Sequence, residues 1–581
     1  MSWLIVPKFG REIQRIPTIS RTGHTFAMQN VARLFPFLQW PRLDASLLRS
    51  EVTSGLTVAV VVIPQSVAYA GLAGMPLVTG LYAAFLPALI AVMFSRSTRL
   101  SVGPSALSCV LVGASIVGMA QPGSAQWVEL VVWLAVLAGL IQLGLGAAGA
   151  SWVLNLVSSP VLTGFSQAAA LLIIASQLPA LLGLSGPLTG LLHGAQVDGV
   201  ALAYGAASLA LFYLGRRYLP RVPMVLLVLG AAGALSKWSG YAQNHAVIGA
   251  VPVGFPSFYW PALPEWHTLS GLLVPAVAIA LVSSLELATS AKIESQRDGK
   301  RWDANQDLIG QGIGKLTSAF SGSFPTSTSF SRSALTLYSG ARTAWSTVFA
   351  TGVVMLVLLY LTPALYHVPQ TVLAAIVIMA VWNLLNLGTL ARLWRIDRIE
   401  AITAAVTFAV TMIAAPRIYW GVLAGVVMGL AHFLYLRLHP RIVELGLHSD
   451  GSLRDRHLWK LAPLGTDLYA LRMDAELDFA SANALERAVI EHLANHPRTR
   501  HVWLFAQPIN RVDATGVEVF SQLRLTLAGH QIALHLVGMK NPVQQVLEKA
   551  GALEASPLVH MYRTDAEALA MLDTGSAIVN N

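Results

Sequence analysis

Stretches of about 20 residues without a charge recur through most of the first 440 residues, long enough to cross a bilayer as helices. In lipid each such segment must satisfy its own backbone N–H and C=O groups, which leaves helices as the fold for apolar runs of this length. The balance of the chain agrees: 55% of its 581 residues are hydrophobic and 12% charged, and the mean hydropathy is +0.60, far from a soluble domain. We therefore expect a polytopic α-helical membrane protein, with the lipid bilayer as its first partner. Cys109 stands alone, which excludes a disulfide framework and a cysteine metal site, and no metal or cofactor is expected. The net charge of +9 does not point to nucleic acid, because the basic residues sit in short connections between spans. Residues 1–50 are polar and basic (Lys8, Arg11, Arg15, Arg21, Arg33, Arg42, Arg49), with no apolar core before a cleavage site, and are expected to stay attached as a cytosolic segment.

In the first half the spans read as 53–71, 76–94, a third from Leu100, then 127–145, 153–178, 202–213 and 223–235. Pro64 lies inside the first and is expected to kink or unwind it. The third, LSVGPSALSCVLVGASIVGMA, is interrupted at Gly103 and Pro104 and looks like a helix restarting inside the membrane. Residues 239–268 read as an external linker with Trp and Tyr at interface positions. The second half opens with 271–292, which carries a single carboxylate, Glu286, followed by a polar loop from Glu294 to Asp307 and a weak span at 308–320. After FPTSTSFSRSALTLYSGART come spans at 348–361, 372–387, 401–415 and 422–435. Arg96/Arg99, Arg216/Arg217/Arg221, Lys300/Arg301, Arg392/Arg395/Arg398 and Arg437/Arg441 fall after even-numbered spans, which places the N-terminus inside; Lys237 and Arg417 depart from the pattern. The compact loops suit a bacterial inner membrane.

A helix that restarts in a membrane exposes free N–H groups with partial positive charge, a ready anion site. Pro325 and the hydroxyls from Thr326 to Ser333 supply such a start, and Arg332 a full charge. Loop or cap chemistry and a snorkelling arginine are the plainer account of the same residues. The segments GPSALS and FPTSTSFS, each third in its own half, tip the balance, because interrupted segments at corresponding places in two halves mark a transporter site.

LTVAVVVIPQSVAYAGLAGMP, GLYAA, SVGPSALS, NLVSSPVLTGFSQAAALLI, LELATSAK, DANQDLIGQGIGKL and SFSRSALTLYSGART resemble, in order and across most of 45–440, the signature stretches of the sulfate permease (SulP) anion transporters. The resemblance implies fourteen segments as two seven-segment inverted repeats, a core moving against a gate, and alternating access over 51–440. It places the substrate around Ser105, Ala106, Ser331 and Arg332, with Thr328 and Ser329 on the same restart and Gln65 nearby. Relatives commonly read TGSFSRS where this chain reads STSFSRS, so Thr328 stands for a glycine and is expected to narrow or re-bond the site. Gln65 has an alternative role in satisfying backbone freed by Pro64. Glu286 matches a carboxylate of proton-coupled relatives; its alternative is a structural partner of Arg332 or of a helix end. An anion and a proton on Glu286 would neutralise each other, which makes the proton, ahead of sodium, the expected coupling ion.

Past Arg441 the chain turns soluble in composition. We divide it into a linker, 441–458, an α/β domain, 459–572, and a tail, 573–581, expected to be disordered. β-like runs (DLYALRMDA, HVWLFAQ, IALHLVG) alternate with helix-like ones, and with the turn VDATGVEVF they resemble a STAS domain. In STAS phosphoswitches a serine follows the turn aspartate; here Ala514 follows Asp513, so a docking or dimer-stabilising module is expected, with a homodimer and a cytosolic protein partner as its roles. The reading is proton-coupled uptake of sulfate or a similar small oxyanion. C4-dicarboxylate or bicarbonate transport, an uncoupled anion channel and an anion receptor remain alternatives, since hydroxyls, N–H groups and one arginine suit any small oxyanion. An enzyme is not expected, because no nucleophile, base and orienting set is visible.

Overall fold

A computed structural model describes residues 35–579 apart from 185, 187, 194, 195, 220, 221, 383 and 555. The expected cytosolic segment therefore lies, up to residue 34, outside the described residues. The chain divides into two compact units, Met1–Gly429 and Leu430–Asn581.

The first unit is helical: α1 (Ala45–Leu72), α2 (Val78–Phe94), α3 (Ala106–Ile116), α4 (Ala125–Ala147), α5 (Ser159–Leu181), α6 (Gly199–Tyr218), α7 (Met224–Ser239), α8 (Trp266–Asp298), α9 (Ala304–Phe320), α10 (Phe330–Tyr338), α11 (Trp345–Leu356), α12 (Gln370–Trp382), α13 (Leu387–Ile396), α14 (Arg398–Ile413) and α15 (Tyr419–Leu438), the last running into the second unit. Among the described residues seven helices are long and apolar enough to cross a membrane, and α2, α3, α7 and α12 are shorter apolar ones. α1 continues through Pro64 without unwinding.

Several helices begin on side-chain caps, which satisfy N–H groups that have no partner in the helix itself. Asp44 Oδ1 accepts from Leu47 N at 2.6 Å, Ser124 Oγ from Trp127 N at 3.1 Å, and Asp397 Oδ1 from Ile399 N at 2.7 Å and Glu400 N at 3.1 Å. That last cap starts α14 directly after α13, so Arg392 and Arg395, expected in a loop, lie on a helix.

The expected polar loop 294–307 is also mostly helical: α8 runs to Asp298 and α9 starts at Ala304. Two of its carboxylates, Glu294 and Asp307, are buried as acceptors for the turn before α3. Asp307 accepts from Arg96 N at 2.7 Å, Ser97 N at 3.0 Å and Trp302 Nε1 at 2.8 Å. Glu294 pairs with Arg99 at 3.2 Å, and Arg99 also reaches Asp298. Further along, α9 is clamped backbone against backbone: a Cβ at Gly312 would meet Leu143 N at 2.6 Å, and one at Gly310 would meet Ala91 O at 2.8 Å. Small residues let helix backbones approach this closely in lipid.

Two short strands sit at the restarts. β1 (Val102–Gly103) and β2 (Ser327–Thr328) pair antiparallel, Val102 opposite Thr328 and Gly103 opposite Ser327. The pairing joins the beginnings of α3 and α10.

The second unit holds a six-stranded sheet in the order β4-β3-β5-β6-β7-β8, built from β3 (Ile442–Leu447), β4 (Leu453–Asp455), β5 (Leu468–Met473), β6 (His501–Phe505), β7 (Ala533–Val537) and β8 (Val559–Tyr562). β5 to β8 are parallel, as expected where helices connect the strands. The segment expected as a linker, 441–458, instead supplies β3 and β4. α16 (Ala482–Asn495), α17 (Ala514–Gly529) and α18 (Asn541–Lys549) follow, and α19 (Asp565–Val579) carries helix into the tail expected to be disordered.

Candidate anion site between the two restarts

α3 and α10 both begin on a serine whose hydroxyl does not cap its own helix. The first-turn N–H groups are left without side-chain acceptors, and the cap hydroxyls are used elsewhere. Ser105 Oγ donates to Glu286 Oε1 at 2.6 Å. Ser108 Oγ donates to Glu286 Oε2 at 3.4 Å, and Ser327 Oγ, from the other restart, to the same oxygen at 2.5 Å. Glu286 is thus an acceptor for hydroxyls of both halves. Arg332, offered above as its structural partner, forms no ion pair with it among the described residues.

Arg332 is 2% exposed. Its Nε donates to Ser101 Oγ at 3.3 Å and its Nη1 to Gln65 Oε1 at 3.4 Å, both long contacts, while its buried Nη2 has no hydrogen-bond partner among the described residues. A buried guanidinium N–H without a partner is costly, so this one marks a place for an acceptor. Gly103 keeps the approach open: its φ of +151° lies where side chains are disfavoured, and a Cβ there would come within 3.7 Å of Nη2.

Gln65, Ser331 and Arg332 line a cavity of about 520 Å³, with Arg216 and apolar side chains of α1, α6, α7 and α12 completing the wall. Ser105, Ala106, Thr328 and Ser329 lie on the restarts behind it. Thr328 is fully buried, and its hydroxyl accepts from Gln311 Nε2 at 2.9 Å, so it is bonded towards α9. Ser329 Oγ lies 3.4 Å from Ser331 Oγ. Ser101, Ser108 and Ser327, which hold Arg332 and Glu286, are not among the residues assigned to the site from the sequence, although Ser327 falls in the run of hydroxyls from Thr326 to Ser333; the hydroxyls around each restart are the available signal.

Residues 48–407 match the sulfate permease family and residues 464–568 the STAS domain. The chain belongs to the sulfate permease family. A probable sulfate transporter of Mycobacterium tuberculosis is 30% identical over 540 residues, covering 91% of this chain and 96% of the relative. The chloroplastic sulfate transporter 4.1 of Arabidopsis thaliana is 27% identical over 551 residues, covering 90% and 80%. Among solved structures, the murine Solute Carrier 26 family member A9 anion transporter in the inward-facing state superposes with a TM-score of 0.85 at 20% identity, covering 97% of both chains. The transmembrane domain of a cyanobacterium bicarbonate transporter superposes with a TM-score of 0.57 at 19% identity, covering 67% of this chain and 98% of that one. These likenesses establish the fold of a multi-pass family member with a C-terminal STAS domain. In that domain Asp513 caps α17 through Gly516 N at 2.8 Å and also accepts from Phe479 N at 3.0 Å; the Gly516 N–H holds its carboxyl below the usual range.

Proposed function

We propose that this protein is a secondary active transporter that takes up sulfate or a similar small oxyanion together with protons, by alternating access. The observation that carries the reading is the buried Arg332 Nη2 left without a partner beside a cavity, with Glu286 held by hydroxyls from both restarts. Gln65, Ser331 and Arg332 would meet the anion from the cavity, Ser105, Ala106, Thr328 and Ser329 would shape and polarise the restarts behind it, and Glu286 would carry the proton. An oxyanion supplies the acceptors that the guanidinium and the first-turn N–H groups lack. A proton on Glu286 offsets the charge brought in by the anion, so the loaded site crosses an apolar interior with less charge uncompensated.

That relatives bear the name of sulfate transporters supports sulfate as the first choice among small oxyanions. The C-terminal unit, with Ala514 beside Asp513, would serve as a cytosolic docking or dimer-holding surface, the N-terminus lying on the same side of a cell membrane. The test is uptake of labelled sulfate, succinate and bicarbonate into proteoliposomes, with and without an inward proton gradient, by the parent and by Glu286→Gln. We expect sulfate to accumulate only with the gradient, and Glu286→Gln to abolish accumulation. Flux indifferent to the gradient and to Glu286 would instead describe an uncoupled pathway.

A further inference from the structure

A second buried charge lies close to Glu286 and has no place in the anion site described above. Lys315, on α9, is wholly buried. Its Nζ donates to Gln142 Oε1 at 2.9 Å and to Ser283 Oγ at 2.7 Å. Gln142 is oriented for this by its own Nε2, which donates to Ala280 O at 3.1 Å and Ser284 Oγ at 2.7 Å, leaving Oε1 turned to the lysine. Fixed oxygen dipoles thus converge on one ammonium, and among the described residues Lys315 forms no ion pair. Ser283 is one helical turn from Glu286 on α8, the acid whose field reaches Lys315. Glu129, the carboxylate of α4, lies about three and a half turns from the neutral Gln142 that α4 brings to Lys315, and α2 faces α9 with Pro87 and Ala91, so Glu286 is the charged group acting on Lys315; Arg332 is the other cation acting on Glu286.

We propose that Lys315 is a built-in counter-cation that does the work of one transported cation and thereby sets which anion charge needs a proton. The inference rests on the anion and proton reading above. With Arg332 and Lys315 positive and Glu286 negative, the empty site carries one positive charge. A monovalent anion neutralises it with no proton. A divalent anion leaves it one negative, and a single proton on Glu286 restores neutrality, the state an apolar interior favours. Without Lys315 a monovalent anion needs the proton, and a divalent one stays uncompensated even after Glu286 is protonated.

The test is binding of choline sulfate and choline nitrate to the purified full-length protein in weakly buffered detergent solution, with proton uptake read by a pH indicator. The parent is expected to take up one proton per bound sulfate and none per nitrate. Lys315→Gln should bind sulfate at least tenfold more weakly and take up one proton per nitrate, whereas Lys315→Arg should behave as the parent. An unchanged proton count and sulfate-to-nitrate preference in Lys315→Gln would overturn the proposal. If Lys315→Gln binds neither anion, the double variant Glu286→Gln, Lys315→Gln decides: it has the parent's net charge and should bind nitrate without a proton, and its failure to do so would reduce Lys315 to a structural role. A parent that binds sulfate without taking up a proton defeats the coupling reading, and the inference with it, in the parent itself and not in the variants.

Discussion

The two restarts have the same outline and different chemistry. Each is a two-residue strand leading into a short helix through a serine that caps nothing of its own. The first, from Val102 to Ala106, contains no charge: glycine and proline keep it open, and its Ser105, with Ser108 on the following turn, donates to Glu286. The second, from Ser327 to Arg332, brings the guanidinium, and gives Ser327 to the same carboxylate. One restart contributes space and helix dipole, the other full charge, and the acid lies on neither restart, since it stands on α8. A pseudo-symmetric framework can thus present an asymmetric site, with identical backbone tasks and divided electrostatics.

The division of charge is most directly broken by Arg332→Gln. We expect at least a roughly 100-fold loss of apparent anion affinity, about 3 kcal/mol, in competition binding, because a charge-assisted contact has no substitute on the first restart. A much smaller effect would show the helix termini to be the principal anion holders. The shared hold on Glu286 is sharpened by comparing Ser105→Ala with Ser327→Ala. Each removes one hydroxyl donor to a half-buried carboxylate, and thermal melting in detergent should report a similar loss of about 2 kcal/mol for both. Unequal losses would assign the acid to one half. Thr328→Gly should matter least to the ligand: it forfeits the Gln311 bond and stiffness behind the second restart, about 1 kcal/mol of stability, while anion affinity measured by the same competition assay stays within about twofold.

Much of this could be read from the chain in advance because its signals are local. Apolar runs bounded by arginines mark the spans, Gly103-Pro104 and Pro325 mark the interruptions, and a lone glutamate in an uncharged span announces itself as Glu286. What was missed depends on partners far along the chain. The carboxylates of 294–307 look like loop residues until Asp307 meets the backbone of Arg96, 211 positions away. Lys315 is one lysine in a weak span, and only the approach of α4 brings Gln142 to it. α13 reads as a loop because its arginines outweigh its short apolar stretch; β3 (IVELGL) follows so closely on the apolar α15 that it does not stand out from it, and β4, at three residues, is too short to show a period of two.

The ladder between β1 and β2 is only two residue pairs long, with Ser329 N donating to Ser101 O at 3.0 Å just beyond it. In a strand pair a slip of one position turns every side chain to the opposite face. Loss or gain of a single residue between Ser101 and Ser105, or between Phe324 and Ser329, would therefore swing Ser327 away from Glu286 and misplace Arg332 together, even with every chemical group retained. For these two stretches spacing is as much a part of the recipe as composition: substitutions can be absorbed one at a time, whereas a change in length would be felt by both halves at once.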